Sequence, residues 1–168
     1  AIKEDVSLWL WGNNYYGQIG DGTTDYRTVP IKIMENVASV SLGEDSSAAV
    51  KKDGSLWVWG SNSHGQLGTG NTTEVHKPVK IMDNVASVHM GYEHSAAIKK
   101  DGSLWTWGDN LFGQLGNGTE DDEYKPVKIM DNVASVSLGG LHSAAIKNDG
   151  SLWTWGCNVN GELGNGDT

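Results

Sequence analysis

The sequence has few of the residues that form crosslinks or bind phosphate. Only one of its 168 residues is a cysteine, Cys157, which excludes a framework of intrachain disulfides. Twelve lysines and arginines stand against 21 aspartates and glutamates, which gives a net charge of −9. Phosphate binding needs clustered cations, and no apolar run approaches the length of a membrane span. We therefore expect no nucleic-acid partner and no membrane insertion.

Phenylalanine occurs once and proline three times, whereas tryptophan and glycine are abundant, with eight Trp and 23 Gly. The tryptophans form four pairs, and each pair follows the previous one by 48 residues: Trp9/Trp11, Trp57/Trp59, Trp105/Trp107 and Trp153/Trp155. A period of this length is typical of solenoids and propellers. We predict a single repeat array over 1–168, with copies at 1–48, 49–96, 97–144 and 145–168.

Each copy has the pattern of four short strands. "HSAAIKKDGSLWTWG" consists of two β-runs joined by Asp-Gly, "KPVKIM" is a third run whose proline suits a strand start or edge, and "VASVSLG" is a fourth. Trp-x-Trp places both indoles on one face of a strand, and neighbouring apolar residues indicate that both faces are buried. We predict an all-β propeller of four-stranded antiparallel blades, with about 3.5 repeats in the chain, a half or partial propeller.

The Asp-Gly turns and the chain ends lead to two further expectations. In the hairpin turn of the third copy, Asp101-Gly102 is predicted to supply two positive φ angles. The first copy has Asp5-Val6 at this place, and a β-branched residue such as valine resists positive φ. We therefore expect a different first turn. Complete blades at 37–82 and 85–130 would leave incomplete blades with exposed indoles at both ends. We expect closure by self-association, as a homodimer, or by a longer propeller.

Two motifs resemble the regulator of chromosome condensation repeat family. "WGxNxxGQLGxG" stands at Trp59–Gly70 and Trp107–Gly118, and "GxxHSAAI" at Gly91–Ile98 and Gly139–Ile146. The departures from these motifs are Ser46 for His, Ile19 for Leu and Glu162 for Gln.

The resemblance implies a propeller of seven four-stranded blades. It also implies one of two kinds of function. The name-giving member catalyses guanine-nucleotide exchange on a small GTPase and docks on chromatin. The bacterial relatives include secreted proteins and a β-lactamase inhibitor protein. The uniform copies leave no room for the exchange factor's wedge, and the −9 charge argues against chromatin. We expect the bacterial type, secreted or at the cell surface, with the cytoplasm as the alternative.

The histidines do not have the pattern of a catalytic or metal site. His94 and His142 recur at one repeat position, but Ser46 breaks the set, so we interpret them as structural residues that bond the backbone of a neighbouring strand. The other histidines lie at non-repeating positions and are interpreted as scattered surface residues: His64, His76 and His89.

Other reactive residue types also lack a suitable pattern. No serine has a histidine and an aspartate at the spacing of a catalytic triad. The acidic run at 120–123 lacks the spacing of a calcium loop and is interpreted as solvated, with a Ca²⁺ site as the less favoured alternative. Cys157 falls in a loop and is expected to be an exposed thiol. We assign no catalytic residue, no metal and no cofactor.

The loops that differ between copies share one end of the predicted blades, because successive strands alternate in direction. This divergence predicts a surface for an asymmetric partner, and exposed aromatic side chains there are typical of interfaces. We predict a non-catalytic scaffold that binds a protein or another ligand, and the acidic residues indicate a protein with a basic patch. An enzyme that uses the central funnel is the alternative. The candidate partner-binding residues are Tyr15, Tyr16, Glu44, Asp45, His64, Tyr92, Glu93, Leu111, Phe112, Leu141 and Val159.

Overall fold

The computed structural model describes residues 1–168 and consists of strands, turns and loops without any helix. No helical segment therefore has the length and hydrophobicity needed to cross a membrane. The strands are β1 Leu8–Gly12, β2 Arg27–Met34, β3 Val37–Leu42, β4 Ser46–Lys51, β5 Leu56–Gly60, β6 Val75–Met82, β7 Val85–Met90, β8 His94–Lys99, β9 Leu104–Gly108, β10 Glu123–Met130, β11 Val133–Leu138, β12 His142–Lys147 and β13 Leu152–Gly156.

The thirteen strands form four antiparallel sheets in chain order. Sheet I contains β1 and β2, sheet II β3 to β6, sheet III β7 to β10, and sheet IV β11 to β13. The two four-stranded sheets span 37–82 and 85–130, the segments that the sequence assigned to complete blades. Before β1, only an isolated bridge between Ile2 and Leu8 extends sheet I. The prediction of an all-β, antiparallel architecture is confirmed.

Successive sheets stack on each other along the array. Strand β7 packs on β3 and β4, and β11 packs on β7 and β8. The Met90 amide donates a hydrogen bond of 3.0 Å to Ser41 Oγ and so links sheet III to sheet II. The strands that carry the Trp pairs, β1, β5, β9 and β13, are called β5-type strands. The cores lie between sheets, because both faces of a β5-type strand are apolar. One such core contains Leu8, Leu10, Ile19, Val37, Ala49 and Trp59.

From the second copy on, the second tryptophan of the pair joins its sheet to the loop of the preceding copy. Trp107 is fully buried, and its Nε1 donates a 2.8 Å hydrogen bond to the carbonyl of Gln66. Ser95 Oγ donates to the same carbonyl at 2.8 Å. The same pair of bonds recurs one copy earlier on Gln18 and one copy later on Gln114. The indole therefore fills the gap to the preceding sheet and also satisfies a loop carbonyl there.

Both expectations about the Asp-Gly turns are wrong. Only the glycine has positive φ, 87° at Gly54, and the Gly54 amide donates to Lys51 O, as in a three-residue hairpin loop. The first copy adopts the same turn with Val6 at φ 58°. The reason is a contact with the next sheet, because Val6 O accepts the Val37 amide at 2.9 Å just as Gly54 O accepts that of Val85.

The two ends of the array leave apolar side chains uncovered. Trp11 is 51% exposed, whereas Trp59 and Trp107 at the same repeat position are fully buried. Leu152 is 66% exposed, whereas Leu56 and Leu104 are fully buried. These differences arise because no sheet packs before sheet I or after sheet IV.

Candidate functional site

The loops of the chain lie at two opposite ends of the sheets. Ser46 pairs with Gly60, and Gly60 pairs with Val75, so the loops that adjoin these residues share one end. We call this the long-loop end, and its loops cover 13–26, 43–45, 61–74, 91–93, 109–122, 139–141 and 157–168. The short turns at 52–54 and 83–84 lie at the other end.

One asparagine organises each long loop. Asn62 is fully buried, its Oδ1 accepts the Leu67 amide at 2.9 Å, and its Nδ2 donates to the carbonyls of Asn71 and Thr73 at 2.9 Å each. The amides of Ile19, Leu115 and Leu163 make the corresponding bonds to Asn14, Asn110 and Asn158. Sequence reasoning missed this role, although the invariant asparagine of "WGxN" was the available signal. The bonds hold the long loops in a defined shape.

All eleven predicted partner-binding residues lie at the long-loop end. Six have exposed side chains: Tyr15, Glu44, Tyr92, Leu111, Phe112 and Val159. The other five are half-buried: Tyr16, Asp45, His64, Glu93 and Leu141.

Direct contacts join the long loops to the three-residue loops 43–45 and 91–93 at the same end. Gln18 Nε2 donates a 2.8 Å hydrogen bond to Asp45 Oδ1, and His64 Nε2 lies 3.3 Å from Glu93 Oε1. Burial and the charge of Glu44 raise the pKa of the Asp45 carboxyl. Hydrogen bonding to Glu44 and the negative charge of that carboxylate raise the pKa of the Tyr92 hydroxyl. Glu44, Asp45 and Tyr92 therefore form one acidic neighbourhood.

Several candidate residues stand outside that neighbourhood. Tyr15 and Tyr16 pack edge to face with ring centroids 4.9 Å apart. Leu141 O accepts the Cys157 amide at 2.9 Å, which joins the last short loop to the last long loop. Cys157 itself is buried, so the expectation of an exposed thiol is wrong. The candidate residues form a row along the array rather than one pocket.

A serine and a histidine meet inside the array, but in a structural arrangement. His94 Nε2 lies 3.0 Å from Ser143 Oγ, which donates to Gln114 O at 2.8 Å, so His94 Nε2 carries the proton. Its Nδ1 is buried and has no hydrogen-bond partner. A catalytic histidine needs an orienting acid at that nitrogen and access to substrate. His94 bonds a side chain rather than the backbone that the sequence analysis expected.

One group of side chains has the composition of a metal-ligand set. His64, Asp109 and Asp122 place one ligand atom each within 4.8 Å of the others. From the sequence, His64 was predicted to be a scattered surface histidine and a candidate partner-binding residue, and the run 120–123 a solvated loop with a Ca²⁺ site as the alternative. The structure instead folds Asp122 back, so that its Oδ1 accepts the Asn110 amide at 2.9 Å.

Comparison with known proteins identifies the repeat and the fold. The sequence profile of the regulator of chromosome condensation (RCC1) repeat matches 7–50, 53–98 and 101–146, and a second profile of that repeat matches 37–66, 85–114 and 133–162. No curated protein sequence matches the chain.

Solved structures similar to the chain include one from human and two from yeast. Human WBSCR16 has a TM-score of 0.86 at 26% identity over 99% of this chain. Prp20p from Saccharomyces cerevisiae has a TM-score of 0.78 at 27% identity over 86%, and yeast RCC1 (Prp20) bound to Kap60 has 0.75 at 24% identity over 89%. This chain covers 47%, 40% and 38% of theirs, less than half of their length. Because the profile matches cover most of its residues, the chain belongs to the RCC1 repeat family of β-propeller proteins.

Proposed function

We propose that the chain is a non-catalytic scaffold that binds another protein through its long-loop end. The observation that carries the proposal is the exposure of large apolar side chains at a repeat position where the residue differs from copy to copy. Tyr15 is 64% exposed, Leu111 65% and Val159 67%. Apolar side chains that are exposed together mark interaction surfaces, and aromatic ones carry much of the binding energy at interfaces.

The similar structures support a protein as the partner class. Prp20p is described with binding properties to Gsp1p and histones, and yeast RCC1 (Prp20) was solved bound to Kap60. Both structures are of the yeast protein Prp20, so protein binding is described for one protein that contains this repeat. The acidic residues Glu44, Asp45 and Glu93 favour a partner with a basic patch, because complementary charges accelerate encounter and fix orientation.

The absence of catalysis is part of the proposal. The only serine–histidine contact, between Ser143 and His94, is buried and ends on the Gln114 carbonyl. A broad hydrolase screen and a nucleotide-exchange assay on a small GTPase are expected to give no activity. Turnover in either assay would favour the enzyme or exchange-factor alternative.

The binding proposal predicts a selective loss of partner capture. We expect replacement of Tyr15, Tyr92 and Phe112 by Ala to abolish capture of specific proteins from a lysate of the source organism, as measured by quantitative mass spectrometry. The melting temperature should stay nearly unchanged, because these side chains are exposed. Tyr16 is half-buried and is therefore kept.

The matched control replaces Val29 and Ile146 by Ala, exposed apolar residues in strands β2 and β12 that lie outside the loops of the long-loop end. The control is expected to retain capture, and the bound proteins should dissociate as salt is raised. Equal capture by the triple variant and the control would contradict the proposed face, and unfolding of the triple variant would show that its residues belong to the core.

We propose in addition that the 168-residue chain associates with itself through its uncovered ends. The support comes from Trp11 and Leu152, which are exposed although their repeat equivalents are fully buried. A second copy can cover these side chains with the same kind of surface that covers Trp59 and Leu56 within the array.

A further inference from the structure

We propose that His64, Asp109 and Asp122 bind a divalent first-row transition metal at the long-loop end, with Zn²⁺ as the expected ion. Their ligand atoms lie within 4.8 Å of one another. Zinc bonds of about 2.0–2.2 Å in tetrahedral geometry bring ligand atoms to about 3.4 Å from one another. The half-buried His64 side chain can rotate to close this difference. The site would exist whether or not the long-loop end binds a protein.

Two different loops supply the ligands. His64 lies in the loop after β5, whereas Asp109 and Asp122 lie at the two ends of the loop between β9 and β10. Gln114 Nε2 donates a 2.5 Å hydrogen bond to Asp109 Oδ2, and the Asn110 amide holds Asp122 Oδ1. Such outer bonds orient metal-ligating carboxylates. Asp122 Oδ2 accepts no hydrogen bond and remains free to coordinate.

The charges around His64 are unbalanced without a cation. Glu93 Oε1 lies 3.3 Å from His64 Nε2, so three carboxylates surround one imidazole. No lysine or arginine pairs with Glu93, Asp109 or Asp122. Asp109 is only 7% exposed, and burial of an unpaired carboxylate is costly. A divalent cation would offset both the burial and the mutual repulsion.

The ligand set occurs once in the array, although the scaffold repeats. Mixed imidazole and carboxylate ligands suit zinc and its neighbours, whereas magnesium and calcium prefer oxygen alone. Residues at the equivalent positions lack the set: Tyr16, Phe112 and Asn160 for His64; Asn13, Ser61 and Cys157 for Asp109; Tyr26 and Glu74 for Asp122. The three residues that differ from their repeat equivalents lie together in the structure, as expected of a metal-binding site and not of the repeated scaffold.

Cobalt and zinc titrations of the full chain test the proposal. After treatment with a chelator, the chain is expected to bind a single Zn²⁺ by calorimetry, to melt at a higher temperature with zinc and not with calcium, and to give Co²⁺ visible absorption bands of nitrogen and oxygen coordination. His64→Ala and Asp122→Asn should each weaken zinc binding by at least about tenfold. The control His76→Ala removes a histidine whose only polar side-chain contact is with Glu74, at 3.2 Å, and should bind as the parent does.

Three results would overturn the proposal. These are equal zinc affinity in the parent chain and His64→Ala, no heat of binding for zinc, and a cobalt–thiolate charge-transfer band, which would assign the metal to Cys157. Because His64 and Asp122 are not fully buried, their variants are expected to fold, and a melting curve without metal checks this.

Discussion

His94 differs from the other histidines because it is almost fully buried and its two nitrogens have different surroundings. Nε2 contacts Ser143 Oγ, whereas Nδ1 has no partner. Burial, with a smaller effect from His142, lowers the pKa of His94 from 6.5 to about 4. The folded protein therefore holds a neutral imidazole over a pH range in which the unfolded chain binds a proton.

This difference predicts how stability depends on pH. The neutral histidine contributes its full stabilisation above about pH 6.5, and the contribution is lost as the pH falls toward about 4, at about 1.4 kcal/mol per pH unit. His94→Ser introduces the residue found at Ser46. Between about pH 7.5 and about pH 5, the free energy of unfolding measured in urea should fall by about 2 kcal/mol less in His94→Ser than in the parent. His76→Ala, which changes a half-exposed histidine, serves as control. The same pH slope in His94→Ser and the parent would contradict this role.

At the scale of the element, a β5-type strand and the preceding long loop act as one unit. The strand supplies the indole, and the loop supplies the carbonyl that accepts its N–H. Trp107 has this partner in Gln66, whereas Trp11 has no preceding loop and is half-exposed. The two residues occupy the same repeat position in different surroundings.

These two tryptophans provide a matched comparison. We expect Trp107→Ala to lower the free energy of unfolding by about 3–5 kcal/mol, because it removes a fully buried indole and leaves a cavity. Trp11→Ala should cost only about 1 kcal/mol, because half of the side chain is already in water. Urea denaturation of both variants measures the difference. Similar losses would show that the contact with the preceding loop contributes little.

The elements were the part of the fold that the sequence predicted best. A 48-residue period with Trp-x-Trp in every copy identified the strands and their order, because hydrophobic alternation and turn residues are local signals. The Val6 turn was not predictable in this way, since its backbone is held by a hydrogen bond to Val37 in the next sheet. The group of His64, Asp109 and Asp122 also escaped prediction, because residues from two loops meet only after the sheets stack.

At the scale of the whole molecule, the array has two ends that differ from its interior. Leu56 packs with Val85 and Val88 of the next sheet, and Leu104 packs with Val133 and Val136. Leu152 occupies the same position in β13, the edge strand of sheet IV, which pairs only with β12 and has no sheet after it. An exposed strand edge beside uncovered apolar side chains favours association with another chain.

This asymmetry predicts that the chain self-associates through its ends. Covering a leucine side chain is worth about 2 kcal/mol, and the indoles of Trp11 and Trp153, each half-exposed, add to this. Sedimentation velocity should show an average mass that rises with protein concentration, and the melting temperature should rise with it, because association stabilises the folded chain. Leu152→Lys should shift the chain toward monomer by placing a charge in the contact, whereas Tyr26→Lys, at an equally exposed residue in the loop before β2, should not. A monomeric mass at every concentration, with sharp unfolding independent of concentration, would show that the uncovered ends are tolerated in water.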